Sequence, residues 1–141
     1  FFNDTAPTEI YTLSLPDALP ISLEPHRAYV REVEALRGVV DVRGMAHVTG
    51  GGLVGNLPRA LGGLGARLDA RSWSEPAVFG LIRSLGGLPE SEMRGVFNLG
   101  VGFCAVVPSE EVAAGLEALH EAGCDAWRIG EVTEAGGVEF V

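Results

Sequence analysis

The sequence contains no lysine, since all ten of its basic residues are arginine. Mechanisms that need a phosphate-loop lysine or a Schiff-base lysine are therefore excluded for these 141 residues. Cysteine is scarce as well: only Cys104 and Cys124 are present, and no CxxC spacing connects them. We expect both to be free thiols that pack in the structure, and the sequence predicts no metal site.

Long hydrophobic runs are also missing. Wholly apolar runs such as 103–107 are far shorter than the roughly 20 residues that cross a bilayer. The amino end has no positive region ahead of an apolar stretch, so it does not resemble a secretory signal, and we expect a cytoplasmic protein. The formal net charge of −9 with no basic run disfavours nucleic acid and anionic membrane surfaces as partners.

The first 22 residues lack glycine, lysine and arginine, whereas the rest of the chain holds all 20 glycines. They contain three prolines and show no helical or alternating apolar period. Residues 3–21 resemble the peptide translated from a short-read sequencing adapter. We therefore expect 1–22 to be a disordered leader of artefactual origin, the alternative being a natural one. Residues 23–141, with ten arginines, 16 carboxylates and a net charge of −6, are expected to form one domain.

Helical and strand patterns alternate along those residues, which predicts an α+β fold with mixed strand directions. The predicted helices cover 25–37 or 30–37, 53–61, 75–87, 91–98 and 109–123, and the predicted strands cover 42–49, 66–70, 100–108, 125–133 and 137–141. The strand over 100–108 is the most apolar and is expected to be central. The last two strands are expected to pair with each other across a turn. The helix over 75–87 is expected to bury Val78, Phe79, Ile82 and Leu85.

A run of three glycines lies between a predicted strand and a predicted helix. Gly50, Gly51 and Gly52 follow Thr49, and such a turn lets a ligand approach the backbone closely. This pattern is typical of a phosphate cradle, although a plain tight turn has the same composition. His47 lies two residues before Thr49 and is expected on the same strand face; its alternative is a strand histidine without a ligand.

Two asparagines are further candidates. Asn98, in the segment FNLGVG, could hydrogen-bond a substrate amide, or it could belong to a turn. Asn56, in NLPRAL, is either a site residue or a local cap for the bend at Pro58. Arg59 could meet a phosphate, or it could be a solvated helical arginine. No residue pattern identifies a catalytic acid, base or nucleophile.

The segments EPHRAYV, AHVTGGGLVGNLPRAL, SWSEPAVFGLIRSLGG, EMRGVFNLGVGFCAVVP and AGCDAWRIGEV, taken together, resemble the carboxyl-terminal domain of the phosphoribosylformylglycinamidine cyclo-ligases, also called aminoimidazole ribonucleotide synthetases. The resemblance covers residues 23–141. Related domains occur in formylglycinamidine synthetase, selenophosphate synthetase, thiamine-monophosphate kinase and a hydrogenase maturation factor. His26 departs from the pattern, which usually has threonine there.

The resemblance implies a three-layer α/β/α domain with a mixed sheet, partly ferredoxin-like. It also implies the fifth step of purine biosynthesis, in which ATP phosphorylates the formyl amide oxygen of formylglycinamidine ribonucleotide and the imidazole ring closes to aminoimidazole ribonucleotide. In this family the amino-terminal domain binds ATP with Mg²⁺ and forms the homodimer. We therefore expect a fragment that lacks that domain and is inactive alone. Its expected substrate or phosphate-binding residues are Thr49, Gly50, Gly51, Gly52, His47, Asn56 and Asn98.

Two other functions remain open. One is a free-standing, non-enzymatic module that binds a phosphorylated metabolite at the glycine turn, which an intact reading frame starting near residue 23 would favour. The other is a superfamily member with a different acceptor, which the NLPR and FNLGVG segments disfavour.

Overall fold

A computed structural model describes residues 27–141, so the predicted leader over 1–22 and His26 lie outside the described residues. The elements of the described part are, in chain order, α1 (Val30–Arg37), β1 (Gly44–His47), α2 (Gly52–Asn56), β2 (Gly65–Leu68), α3 (Ala77–Gly86), α4 (Glu90–Val96), β3 (Phe103–Val106), α5 (Val112–Glu121), β4 (Gly130–Thr133) and β5 (Gly137–Phe140). Short 3-10 helices, Leu57–Ala60 and Ser109–Glu111, follow α2 and precede α5. The predicted α+β class is confirmed, and each strand is shorter than predicted.

The strands form two sheets. In the first, β1 runs antiparallel to β3, with Ala46 opposite Cys104 and His47 opposite Phe103. In the second, β2 lies between β4 and β5, antiparallel to β4 and parallel to β5. The predicted mixture of strand directions is therefore present within one sheet.

Two predictions about strand neighbours were wrong. Strand β3 is not central, because β1 is its one hydrogen-bonded neighbour among the described strands, and β4 and β5 flank β2 instead of pairing with each other. Burial explains why β2 is the central strand of this sheet. Leu68 of β2 is 2% exposed, whereas Val132 of β4 is 41% exposed. The strand with the more deeply buried side chains is therefore central, and each of the two outer strands has an exposed edge.

The core lies between the sheets and the segment that runs from β1 to β2. Its buried members come from the strands, from α2, from the adjoining 3-10 helix and from residues just outside these elements, and they are Ala46, Val48, Leu53, Leu57, Leu61, Ala66, Leu68, Val101 and Cys104. Leu53, Leu57 and Leu61 recur at the predicted four-residue steps, and all three face this core. Because α2 is anchored by these leucines, its amino end and the glycine turn before it have a fixed position.

Helix α3 differs from its prediction. No residue of α3 is buried, and Leu85, predicted to face the core, is 60% exposed. The helix contacts α4, and the Phe79 ring lies with its centroid 5.7 Å from that of Phe97. The apolar residues of α3 therefore pack mainly on α4 and the residue after it and do not join the main core. None of the helices over residues 27–141 is long and apolar enough to cross a membrane.

Candidate functional site

The glycine turn connects the end of β1 to the start of α2. Val48 is fully buried, whereas His47 and Thr49 on either side of it are exposed, so the predicted alternation of burial is present, although β1 itself ends at His47. Gly51 and Gly52 adopt positive φ angles of 95° and 58°. A Cβ atom at Gly52 would collide with the backbone oxygens of Arg94 and Phe97. The turn therefore needs glycine both for its conformation and for its close approach to the end of α4.

Asn56 holds this turn from inside. The residue is 5% exposed, and its Nδ2 donates to the carbonyl oxygens of Gly52 at 2.8 Å, Gly50 at 3.3 Å and Thr49 at 3.4 Å. Its side chain makes no capping hydrogen bond to the 3-10 helix that contains Pro58. The amide nitrogen is thus occupied by the turn, and burial of Asn56 and Gly52 makes the bond between them structurally important.

The segment around Asn98 lies against the same turn. The Gly51 N–H donates to the Val96 carbonyl oxygen at 3.3 Å. Asn98 follows one residue after Phe97, and its Oδ1 accepts a hydrogen bond from the Gly100 N–H at 3.1 Å. Two segments that the sequence separates by about fifty residues therefore meet in the structure.

A shallow cavity of about 360 Å³ lies where they meet. It is lined by Thr49, Gly50, Phe79, Val96, Phe97 and Asn98. Three predicted site residues, Thr49, Gly50 and Asn98, are brought together here. Gly51 and Gly52 shape the turn behind them, and Asn56 lies beneath it.

Sequence reasoning missed the apolar side of this cavity. Phe97 precedes Asn98 directly, so its position in the motif was a usable signal. Phe79 was assigned to a buried helix face, and nothing in its spacing indicated a cavity wall. Val96 ends α4, where the sequence pattern predicted only a helix.

His47 lies elsewhere on the β1–β3 sheet and does not line the cavity. Its ring centroid is 6.0 Å from that of Tyr29 and 6.3 Å from that of Phe103, and the Tyr29 and Phe103 centroids are 5.2 Å apart. These three rings form one aromatic cluster. Arg59 is exposed on the 3-10 helix after α2 and is likewise not a lining residue.

A larger cavity, of about 470 Å³, lies among α1, β3, α5 and residues 124–132. Cys104 and Cys124 both line it, and burial raises the pKa of Cys104 to about 12. Burial also raises the pKa of Cys124, more than Arg27 lowers it. Because a protonated thiol is a poor nucleophile, this cavity lacks an activated cysteine.

Glu32, on α1 beside that cavity, is the buried carboxylate of the described chain. A hydrogen bond from its own backbone N–H and the Arg27 guanidinium lower its pKa. The Arg27 Nε donates to Glu32 Oε1 at 2.8 Å, and the Arg27 Nη2 donates to the Gly123 carbonyl oxygen at 3.1 Å. This pair connects α1 to the end of α5, which is a structural arrangement.

Residues 17–141 match the family described as "AIR synthase related protein, C-terminal domain". The match begins inside the segment predicted to be a leader, so the boundary at residue 23 stays a prediction. Among curated proteins, the chain is similar to the phosphoribosylformylglycinamidine cyclo-ligase of Sorangium cellulosum, with 49% identity over 121 residues, which are 84% of this chain and 35% of that protein.

The cyclo-ligase of Gloeobacter violaceus is 45% identical over 131 residues, 89% of this chain and 39% of that protein. The chain therefore spans less than two fifths of the length of these relatives. Among solved structures, it is similar to the crystal structure of E. coli HypE, a hydrogenase maturation protein, with a TM-score of 0.63 and 28% identity over 91% of this chain and 41% of that one.

Proposed function

Because the chain belongs to the family of AIR synthase-related proteins through their carboxyl-terminal domain, we propose that it is the substrate-side domain of a phosphoribosylformylglycinamidine cyclo-ligase. The whole enzyme would use ATP to close the imidazole ring of formylglycinamidine ribonucleotide in purine biosynthesis. Identities of 45% and 49% to cyclo-ligases, against 28% to HypE, support this acceptor over that of a hydrogenase maturation protein.

The observation that carries the proposal is the meeting of the two glycine-containing segments. Thr49 and Gly50 from one segment and Phe97 and Asn98 from the other line a single cavity, and the bond from the Gly51 N–H to the Val96 oxygen connects the segments. A plain tight turn would not need a second polar segment opposite it. A binding cleft needs such a segment, because several polar groups must converge on the ligand.

The proposed role of each residue follows from its position relative to the cavity. Thr49, Gly50 and Asn98 would contact the substrate, since all three line the cavity. Gly51 and Gly52 would give the turn its shape, and Asn56 would hold it by its three carbonyl contacts. His47 would be a polar neighbour on the same strand face as Thr49, outside the cavity itself.

The described residues do not fit an ATP–magnesium site. Residues 27–141 contain no group of three His, Cys, Asp and Glu side chains able to hold a metal ion, and no carboxylate lines the cavity, although carboxylates are the usual Mg²⁺ ligands. Our proposal therefore places ATP, Mg²⁺ and the homodimer contacts in the part of a cyclo-ligase that this chain does not span. On this proposal the chain is inactive alone, is cytoplasmic, and has no nucleic-acid or membrane partner.

The decisive experiment mixes the purified chain with a separately expressed amino-terminal half of a cyclo-ligase. Formation of aminoimidazole ribonucleotide and ADP is then measured with formylglycinamidine ribonucleotide and ATP. We expect activity only in the mixture. Gly51→Asp should abolish it, because a charged side chain would stand at the turn that shapes the cavity.

The matched control is Gly63→Asp. Gly63 has a φ angle of 98°, nearly the 95° of Gly51, and it is exposed outside the cavity, so both substitutions introduce the same backbone strain. Equal loss of activity in the two variants would assign the effect to strain. No activity in a mixture of two folded partners would contradict the proposed function and favour a free-standing binding module.

A further inference from the structure

The cavity at the glycine turn has no charged lining. Its polar members are Thr49, Gly50 and Asn98, and the others are apolar. Arg94 lies nearby on α4, but its Nε is 2.9 Å from Glu90 Oε1 and its guanidinium lies 4.2 Å from the centroid of the Phe140 ring. Withdrawing a phosphate dianion from water is costly without a cationic partner. The lining of the cavity therefore offers a phosphate dianion no cationic partner.

The side chain of Asn98 is oriented by its own backbone. Its Oδ1 accepts the Gly100 N–H at 3.1 Å, which identifies that atom as the oxygen, because an amide nitrogen could not accept this bond. Within residues 27–141 the Asn98 Nδ2 has no acceptor. Asn98 lines the cavity, and its Nδ2 is therefore a donor left available for a ligand there.

Asn56 orients a second donor. In a trans peptide the carbonyl and the following N–H point in opposite directions. Since the Thr49 carbonyl oxygen accepts from Asn56 Nδ2 at 3.4 Å, the N–H of Gly50 points away from Asn56. The described residues provide no acceptor for this N–H. The N–H groups of Gly51 and Gly52, by contrast, are used inside the structure by Val96 and Thr49.

The remaining wall is aromatic. Phe79 and Phe97 line the cavity, with ring centroids 5.7 Å apart and ring planes inclined by 50°. Such a wall favours a flat, uncharged group over a hydrated ion, because an ion would have to lose its water to lie against it.

We infer that this cavity binds an uncharged, planar amide through its carbonyl oxygen, with Gly50 N–H and Asn98 Nδ2 as donors and Phe79 and Phe97 as the wall. Identifying that amide as the N-formyl group of the cyclo-ligase substrate, and not its ribose phosphate, rests on the proposed function. The preference for a neutral carbonyl group over phosphate stands independently of it.

The test is a titration of the isotope-labelled 141-residue chain, followed by its amide ¹H–¹⁵N spectrum. N-formylglycinamide and inorganic phosphate are the two probes, added separately to the same concentration and at the same ionic strength. We expect N-formylglycinamide to shift the Gly50 amide and the Asn98 side-chain amide in a saturable way, while phosphate leaves both unchanged. Saturable shifts with phosphate, or no saturable shift with N-formylglycinamide, would overturn the inference.

Asn98→Asp is the variant that isolates the donor. It keeps an oxygen for the Gly100 N–H but replaces the amide donor with a carboxylate, so binding of N-formylglycinamide should weaken by at least about tenfold. Ser84→Asp adds the same charge at an exposed position of α3 outside the cavity and should bind as the unaltered chain does. Asn98→Ser, which also keeps an acceptor for Gly100, serves if the aspartate variant does not give a native spectrum. Unchanged binding in a folded Asn98 variant would contradict the assignment.

The outcome is separable from that of the mixing experiment. Ring closure in the mixture, together with phosphate shifts at Gly50, would support the proposed function and overturn the amide site. Binding of N-formylglycinamide by the chain, without ring closure in the mixture, would support the amide site and contradict the proposed function.

Discussion

The indole N–H of Trp73 donates a hydrogen bond to the carbonyl oxygen of Leu99, with 3.0 Å between the two heavy atoms. Leu99 is buried, and its φ angle of 50° is unusual for a residue with a side chain. Leu99 follows Asn98 directly, so the bond fixes the backbone next to the cavity. Trp73 thereby couples the loop before α3 to the candidate site.

Trp73→Phe removes this donor and leaves a buried carbonyl oxygen without its partner. We expect the free energy of unfolding to fall by about 2 kcal/mol, from the lost hydrogen bond and the smaller side chain. Denaturant unfolding followed by circular dichroism measures the loss. Trp127→Phe is the control, because Trp127 is 38% exposed and should lose less than about 1 kcal/mol. Equal losses would mean that the bond to Leu99 contributes nothing particular.

Gly52→Ala tests the close approach of the turn to α4. Gly52 has positive φ, and an added Cβ would collide with the backbone oxygens of Arg94 and Phe97. We expect the free energy of unfolding to fall by about 3 kcal/mol, from left-handed strain and overpacking together. Thermal and denaturant unfolding both measure it.

Gly55→Ala in the same helix is the matched substitution. A Cβ at Gly55 meets no atom within 4 Å, and the residue lies inside α2. It should therefore stabilise the protein by about 0.5 to 1 kcal/mol, because alanine restricts the unfolded chain. A neutral Gly52→Ala would contradict the tight packing of the turn on α4.

Local features of the fold could be predicted from the sequence, because their causes are local. Gly87 and Gly123 adopt positive φ angles just after α3 and α5, as glycine typically does at helix ends, and the leucine repeat after the glycine turn faces the core. Strand pairing could not be predicted in the same way. The central place of β2 depends on how deeply Ala66 and Leu68 are buried relative to the strands that flank them, which is a property of the assembled fold.

The candidate site shows the same division. Thr49, Gly50 and Asn98 were predictable one by one from glycine spacing and side-chain type. Their meeting required the bond between the Gly51 N–H and the Val96 oxygen, which no spacing indicates. The interior position of Asn56 also emerged only in the structure, because its type allows both a ligand contact and a backbone contact.

The Arg27–Glu32 pair makes stability depend on pH. The folded state lowers the pKa of Glu32 through its own backbone N–H and through Arg27, so the carboxylate stabilises the fold above the ordinary pKa of about 4.5. That contribution is lost as the pH falls through the lower, folded-state pKa. Glu32→Gln should therefore be less stable than the unaltered chain at pH 7, and the two should converge in acid.

Unfolding by urea at a series of pH values from 7 to about 3 checks this dependence. Glu34→Gln is the control, because Glu34 is an exposed residue of the same helix and should follow the unaltered chain throughout. A constant difference between Glu32→Gln and the unaltered chain at all pH values would assign its effect to packing and not to the charge.

The two cysteines should differ in reactivity. Burial raises the pKa of Cys104 to about 12, so at pH 8 roughly one molecule in ten thousand carries that thiolate, and the side chain is also shielded. Cys124 is only half-buried. We expect a disulfide reagent at pH 8 to label one thiol of the folded chain and the second only after unfolding. Cys124→Ser should abolish labelling of the folded protein, whereas Cys104→Ala should preserve it. Labelling of two thiols at similar rates in the folded chain would contradict the burial of Cys104, because a buried thiol reacts only when the structure opens.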